Sequence, residues 1–252
     1  MSGSAKPELA GSPLGRPGDP GSTAAEVRRM FAAVAPRYDL LNHVLSFGSD
    51  ILWRQKAAEA LADVLARPGS RVTDLCCGTG DLALALASRS AGGVIGADFC
   101  YPMLARARQK SLGRLHLHFV EADVLRLPFA DASLDAVSVA FGFRNLANYR
   151  QGLREMCRIL KPRGRMAILE FSKVRGMIVG PLFRFYFRRL LPHLGSWASG
   201  VPGPYQYLPD SVARFPDQES LAGMMREAGL TRVRYRNLTR GVAALHVGEK
   251  AV

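Results

Sequence analysis

Cysteine is scarce in this chain, and its surroundings are sparser still. Cys76, Cys77, Cys100 and Cys157 are the only four among 252 residues, and they make neither a C-x-x-C pair nor a Cys/His cluster. That excludes a disulfide framework and leaves no metal site to propose, and free thiols in a reducing compartment are expected. No run reaches the roughly 20 apolar residues a membrane-crossing helix needs, and no apolar core of a signal peptide occurs, so a cytoplasmic protein is expected. Residues 1–22 carry few large apolar side chains, Met1, Leu9 and Leu14, and are dominated by Gly, Pro and Ser, with Pro7, Pro13, Pro17 and Pro20. Such a tail buries too little to order itself and reads as disordered. No internal repeat is evident.

What remains, 23–252, suits a single α/β domain, and the 48% hydrophobic residues of the whole chain suffice for a substantial core. The formal charge of +13 suggests nucleic acid or an anionic membrane surface as partner. Its distribution decides between them. From Phe171 to Pro209 no acidic residue occurs, while Lys173, Arg175, Arg184, Arg188 and Arg189 alternate with Met177, Leu182, Phe183, Phe185, Phe187, Leu190 and Trp197. Bases interleaved with large apolar residues describe a helix lying on anionic headgroups, or a buried helix whose arginines reach out to water. Nucleic acid is not expected: Leu146, not proline, follows Asn145, so the polar-proline motif for an extruded base is missing.

The most informative stretch is Asp74 to Asp81. Arg71–Leu75 reads as a buried strand, and the alanine- and leucine-rich run from Leu82 reads as a helix. Between them, Gly78 and Gly80 allow positive φ and close approach of a ligand to the free N–H groups of the helix start. Gly78-Thr79-Gly80 satisfies the weak dinucleotide fingerprint, but Asp74 and Asp81 would repel a pyrophosphate. A cationic sulfonium cofactor with an ammonium tail favours those carboxylates, so S-adenosylmethionine is expected. A second strand, Val94–Ala97, ends in Asp98, placed for both ribose hydroxyls. A third, Leu115–Val120, leads to Asp123 and Val124, suited to the adenine amine and a ring nitrogen; Asp123 also reads as a simple loop cap.

The alternation continues through a helix at Pro102–Lys110 and a central strand at Leu134–Phe141. A helix at Tyr149–Leu160 stops at the turn Lys161–Gly164, before a strand at Met166–Phe171. A helix at Asp217–Ala228 then precedes a terminal hairpin, Val233–Leu238 and Val242–Val247. Ligands of open α/β sheets bind at the carboxyl ends of the strands, where Gly142–Asn145 falls.

Several strings together resemble one known family, the quinone-ring C-methyltransferases of ubiquinone and menaquinone biosynthesis. They include 27–48, the Asp74–Asp81 loop, Phe141-Gly142-Phe143-Arg144-Asn145, Glu170-Phe171-Ser172-Lys173 and Phe215-Pro216-Asp217-Gln218. The resemblance spans nearly everything after the tail. It implies a class I S-adenosylmethionine-dependent methyltransferase fold, a Rossmann-like seven-stranded sheet with a terminal antiparallel hairpin. It also implies methylation of a prenylated quinol, with demethylmenaquinol the favoured acceptor. A benzoquinol, another small molecule or a sterol-like acceptor is the alternative. Thr79, Asp98, Asp123 and Val124 match the family's cofactor contacts. Ala140 replaces a serine found in some members, which removes one hydroxyl contact. A peripheral membrane position, a homodimer or a quinone-synthesis complex is compatible with such a protein. Intact Asp74, Gly78, Gly80 and Asp98 argue against a non-catalytic subunit.

The chemistry needs a phenolate, its alignment with the methyl group, and removal of a ring proton. Arg144, beside Asn145, is the expected stabiliser of the phenolate or positioner of a water, unless it pairs with the N-terminal segment. Residues 23–60 are expected to form a helical lid, with Tyr38, Asp39, Asn42 and His43 as base or lid candidates. The apolar basic segment 173–210 adds Tyr205 and Tyr207. Contact of Tyr207 with the quinol is preferred over His43 as base, because a lone histidine is more often structural.

Overall fold

The computed structural model describes residues 11, 12, 14, 19–172, 174 and 203–252, with backbone alone for 20 and 203–206. Most of the apolar basic segment therefore lies outside the described residues, as does the start of the N-terminal tail. A seven-stranded sheet organises the rest, in the order β3-β2-β1-β4-β5-β7-β6. Strands β1 (Arg71–Leu75), β2 (Gly93–Asp98), β3 (Leu117–Glu121), β4 (Leu134–Ala140) and β5 (Leu160–Phe171) run parallel. Strand β7 (Ala243–Lys250) inserts antiparallel between β5 and β6 (Leu230–Leu238), which is the expected terminal hairpin.

The central parallel strands β1 and β4 are buried on both faces, so Val72–Leu75 and Ala136–Val139 read as continuous buried runs, whereas edge strand β3 is buried only at Leu117. Helices α3 (Ser49–Glu59) and α5 (Asp81–Ala87) cover one face, where Trp53, Leu61, Leu65, Leu82 and Leu86 pack on Val72 and Ala136. On the other face lie α7 (Tyr149–Ile159) and α9 (Gln218–Glu227), with Tyr149, Leu153, Met156 and Leu221 against Val137 and Ile168. Helix α7 starts where Asn148 accepts a hydrogen bond from the Gln151 amide, and it buries Leu153, Met156 and Cys157 on one side. Helix α6 (Tyr101–Lys110) connects β2 to β3, and α8 (Gly203–Arg214) precedes α9.

Three sequence expectations shift. Order begins before residue 23: the Asp19 carboxylate accepts from the Gly21 and Ser22 amides and caps α1 (Pro20–Val34). Upstream, the Ser12 amide donates to Leu146 O at 2.8 Å. The turn Lys161–Gly164 is enclosed within β5 as an irregularity, where pairing jumps from Leu134 with Leu160 to Ala136 with Arg165. Strand β3 starts at Leu117, and Leu115 is 90% exposed.

The short α2 (Tyr38–Leu45) and a 3₁₀ turn at Ala35–Arg37 bridge α1 to α3, while α4 (Ala62–Leu65) closes the N-terminal helical segment. Chain direction on the sheet reverses between β1, which leads outward to β2 and β3, and β4, which continues the other way. A crevice opens at the carboxyl ends of these strands.

Candidate active site

Two cavities meet in that crevice. The first encloses about 930 Å³, part of it open to solvent, and is lined by Asp74, Gly78, Thr79, Asp98, Asp123, Val124 and Asn145 among others. The second, about 1230 Å³, is walled by Met30, Val34, Leu45, Phe47, Trp53, Phe171 and Leu208. Its polar lining includes Arg144, Tyr207, Asn42, Asp50 and Thr239. Phe31, Tyr38, Arg54 and Phe141 line both, so they form the junction.

The glycine loop is pinned by Asp98. One carboxylate oxygen accepts from the Gly78 amide at 2.8 Å, and the other accepts from the Cys100 amide at 2.8 Å. Each oxygen retains a lone pair. Gly78 and Gly80 take φ of +55° and +87°, the left-handed region that glycine enters freely. A Cβ on Gly80 would lie 3.1 Å from Ala107 Cβ. Asp74 is buried and accepts from the Ser138 hydroxyl at 2.9 Å. Burial pushes its carboxyl up to about 7, against the pull of Ser138 and Arg54. Asp98 is likewise raised by burial, to about 6, against its backbone donors. Burial, with nearby Asp98, also holds Cys76 and Cys77 as thiols. Two desolvated carboxyls in one cleft fit a cationic ligand, which restores their ionisation, and repel an anionic one.

Asp81 differs from its sequence reading. Lys110 Nζ contacts its carboxylate directly, and Arg54 stands 3.8 Å away, so its charge is already met within the protein. The same Lys110 donates to Asp39 at 2.7 Å, and Asp39 accepts from the Thr79 hydroxyl. Asp39 thus ties α2 to the glycine loop and lines neither cavity. His43 lines neither either: its Nδ1 is 2.8 Å from Asp50, which Arg54 also contacts. The ligand atoms of His43, Asp50 and Asp81 lie within 4.8 Å of one another. Arg54 and Lys110 supply the positive charge there, making the cluster an ion-pair network.

Arg144 is buried, and among the described residues its charged partner is Glu170 and not the N-terminal segment. Its Nη1 donates to Glu170 Oε1 at 2.8 Å and also to Phe141 O, while its amide donates to Glu170 Oε2 at 3.1 Å. Its Nε has no partner among the described residues, and the guanidinium lies over the Phe171 ring. Burial works against the charged form, but Glu170 and the nearby tyrosines outweigh it and raise its pKa. The Tyr207 hydroxyl donates to Asn145 Oδ1 at 3.0 Å and lies 2.9 Å from the Ser12 hydroxyl. Burial raises the pKa of both Tyr38 and Tyr207. Glu170, Arg54, Lys110 and Ser138 escape the sequence reading. Glu170 alone carried a signal, its place in the string at the end of β5.

The sheet order and the carboxylate-rimmed cleft define a Rossmann-like methyltransferase. Solved structures share that fold. A methyltransferase from Thermotoga maritima, titled S-adenosylmethionine-dependent and a possible histamine N-methyltransferase, superposes with a TM-score of 0.61 at 18% identity. The match covers 88% of this chain and 98% of that one. An S-adenosylmethionine-dependent methyltransferase from Aquifex aeolicus gives 0.56 at 19% identity, over 77% and 88%. At such identity they show the fold alone.

The chain belongs to the ubiE/COQ5 methyltransferase family, whose model matches residues 21–250. It is 51% identical over 223 residues to the demethylmenaquinone methyltransferase of Thermus thermophilus, covering 88% of this chain and 100% of that protein. The Deinococcus radiodurans demethylmenaquinone methyltransferase is 50% identical, over 92% and 96%. A Geobacter sulfurreducens protein named ubiquinone/menaquinone biosynthesis C-methyltransferase UbiE is 41% identical, over 90% and 89%. The fold and family expected from the sequence are thereby borne out, and S-adenosylmethionine is the methyl donor of this class.

Proposed function

We propose that this chain methylates a ring carbon of a prenylated quinol, demethylmenaquinol, in menaquinone biosynthesis. One observation carries the reading: a carboxylate-bearing cleft opens into an apolar, aromatic cavity through Tyr38 and Phe141, with a buried guanidinium on the apolar side. The names of the Thermus and Deinococcus relatives support the same acceptor.

Asp98, Asp123, Val124 and Thr79 hold S-adenosylmethionine along the strand ends, with Asp74, Gly78 and Gly80 shaping its cleft. The bound cofactor supplies an electrophilic methyl group. Arg144, with Nη1 committed to Glu170 and Phe141, turns its remaining donors toward a quinol oxygen and favours the phenolate. Tyr207 and Asn145 orient the ring. Helices of residues 23–60 form the lid, which Asp39 latches to the cofactor loop. His43 stays outside the proton path because it lines neither cavity. The apolar cavity takes the start of the prenyl chain, and the protein docks peripherally on an anionic membrane surface through the sequence 173–210. No helix among the described residues is long and apolar enough to cross a membrane.

The benzoquinol acceptor of ubiquinone biosynthesis is the second reading, favoured by the name of the Geobacter relative. Transfer of radiolabelled methyl to demethylmenaquinol, to a demethylated benzoquinol and to a no-acceptor control separates the two. Label in the naphthoquinol alone is expected. Equal or preferred labelling of the benzoquinol reverses the assignment, and label in neither removes quinol methylation.

A further inference from the structure

Among the described residues, four of the side chains that line the cofactor cleft are carboxylates, Asp74, Asp81, Asp98 and Asp123, and one is a base, Arg54. S-adenosylmethionine carries a sulfonium, an ammonium and a carboxylate. The acids of the cleft suit its two cations. They repel its carboxylate, which needs a donor of its own.

Arg54 enters the cleft from outside the strand, loop and helix that form its floor, on α3, and is 8% exposed. Its Nη1 donates to Asp50, which also accepts from the Ser46 hydroxyl at 2.7 Å and stands 2.8 Å from His43 Nδ1. Its Nη2 is 3.8 Å from Asp81, beyond hydrogen-bond reach, and Lys110 contacts Asp81 directly. Asp81 is therefore satisfied without Arg54. Among the described residues, neither Nε nor Nη2 of Arg54 has a hydrogen-bond acceptor. The guanidinium lies over the Phe141 ring, 5.5 Å from its centre, so Asp50 and Phe141 hold it between them.

Other bases nearby are committed elsewhere. Lys110 bridges Asp39 and Asp81, and Arg28 lies over Phe99; neither lines the cleft. Asp39, Asp50 and Asp81 outnumber Arg54 and Lys110, so net charge does not draw an anion to this corner. Directed donors do. Nε and Nη2 form one edge of the planar guanidinium, and such an edge meets a carboxylate through two parallel hydrogen bonds.

We infer that Arg54 holds the carboxylate of the cofactor's amino-acid tail through Nε and Nη2, and thereby positions the methyl group. Carboxylate and sulfonium sit on the same short chain, so fixing one restricts the other. Arg54 also lines the acceptor cavity, with Tyr38 and Phe141, so the tail is anchored where the two cavities meet. With Nη1 kept by Asp50, the bound tail links α3 to the glycine loop.

The test is titration calorimetry of the full chain with S-adenosylmethionine and with its decarboxylated analogue, which keeps the sulfonium, the ammonium and the adenosine. Wild type should bind S-adenosylmethionine about tenfold to a hundredfold more tightly, the size of a hydrogen bond to a charged group. In Arg54→Gln this ratio should shrink toward one, while affinity for the decarboxylated ligand stays near wild type and shows that the cleft is intact. Arg54→Gln/Asp50→Asn is the second variant, because it leaves no unpaired carboxylate in the place of the buried pair, and it should lose the preference as well. An unchanged ratio in these variants, or an equal loss of both ligands, overturns the inference and gives the carboxylate to other donors. The inference rests on S-adenosylmethionine as cofactor. Binding of neither ligand by wild type removes that cofactor, whereas equal binding of both removes the role of Arg54 alone.

Discussion

Arg144 Nη1 lies 2.8 Å from Glu170 Oε1, with both side chains buried at the ends of neighbouring parallel strands. Glu170 also accepts from the backbone amides of Arg144 and Phe171, at 3.1 and 2.8 Å. One carboxylate therefore fixes both the guanidinium and the turn that carries it, leaving Nε without a partner among the described residues.

Breaking this pair strands one buried group. Arg144→Ala should cost about 3–5 kcal/mol of stability, as removal of one partner from a buried ion pair does. Arg144→Lys and Glu170→Gln should fold but lose methyl transfer while binding S-adenosylmethionine nearly as wild type. Calorimetric cofactor affinity set beside single-turnover rates checks this, and unchanged turnover in Arg144→Lys removes the guanidinium from the mechanism.

Cofactor binding should depend on pH through Asp74 and Asp98. Burial raises their carboxyls to about 7 and about 6, so the free protein retains protons there near neutrality. A cationic cofactor favours the ionised forms, so its affinity should rise from pH 5 to pH 7.5 with net proton release. Titration calorimetry in two buffers of different ionisation enthalpy measures the release; proton uptake would contradict it.

The same shifts fix the sign of stability. At Asp74 and Asp98 the folded protein holds more protons than the unfolded chain between about pH 4 and 7, so their contribution to stability without cofactor should fall as pH rises through that window, while buried His246, whose pKa burial lowers, works in the opposite sense. The whole effect is on the order of a few kcal/mol. Asp74→Asn should flatten most of it in a Tm-against-pH series, and an equal slope in both proteins would rule Asp74 out.

Gly80 and Gly78 should respond differently to a methyl group. Both have positive φ, costing roughly 1–2 kcal/mol for alanine. At Gly80 the added Cβ also meets Ala107 and Phe119 at 3.1 and 3.3 Å, whereas at Gly78 the nearest neighbour is Tyr38 at 4.0 Å. Gly80→Ala should therefore be the less stable variant in chemical denaturation, and equal losses would show that packing against Ala107 is immaterial.

Tyr207→Phe removes the hydroxyl shared by Asn145 and Ser12. A loss of roughly 1 kcal/mol, several-fold in acceptor KM, is expected with the cofactor constant unchanged. Ser12 lies before the family-matched span 21–250, so Ser12→Ala should change acceptor KM less. Steady-state kinetics with a short-tail quinol compares the two.

Much of this molecule was legible from local pattern. The buried strand, the paired glycines and the helix of Arg71–Ala87 specify a ligand loop, because no other residue enters that backbone region so cheaply and the strand must be apolar on both faces. Asp74, Asp98, Asp123 and Val124 follow from their places at strand ends, and all four line one cleft. The terminal hairpin follows from two β-rich runs around Gly241. Local pattern is silent about partners distant in sequence. Only the sheet order, which sets β5 beside β4, gives Arg144 its partner Glu170. Only the packing of α2 against α6 and the loop turns Asp39, Thr79, Lys110 and Asp81 into one network and takes His43 out of the lining of both cavities.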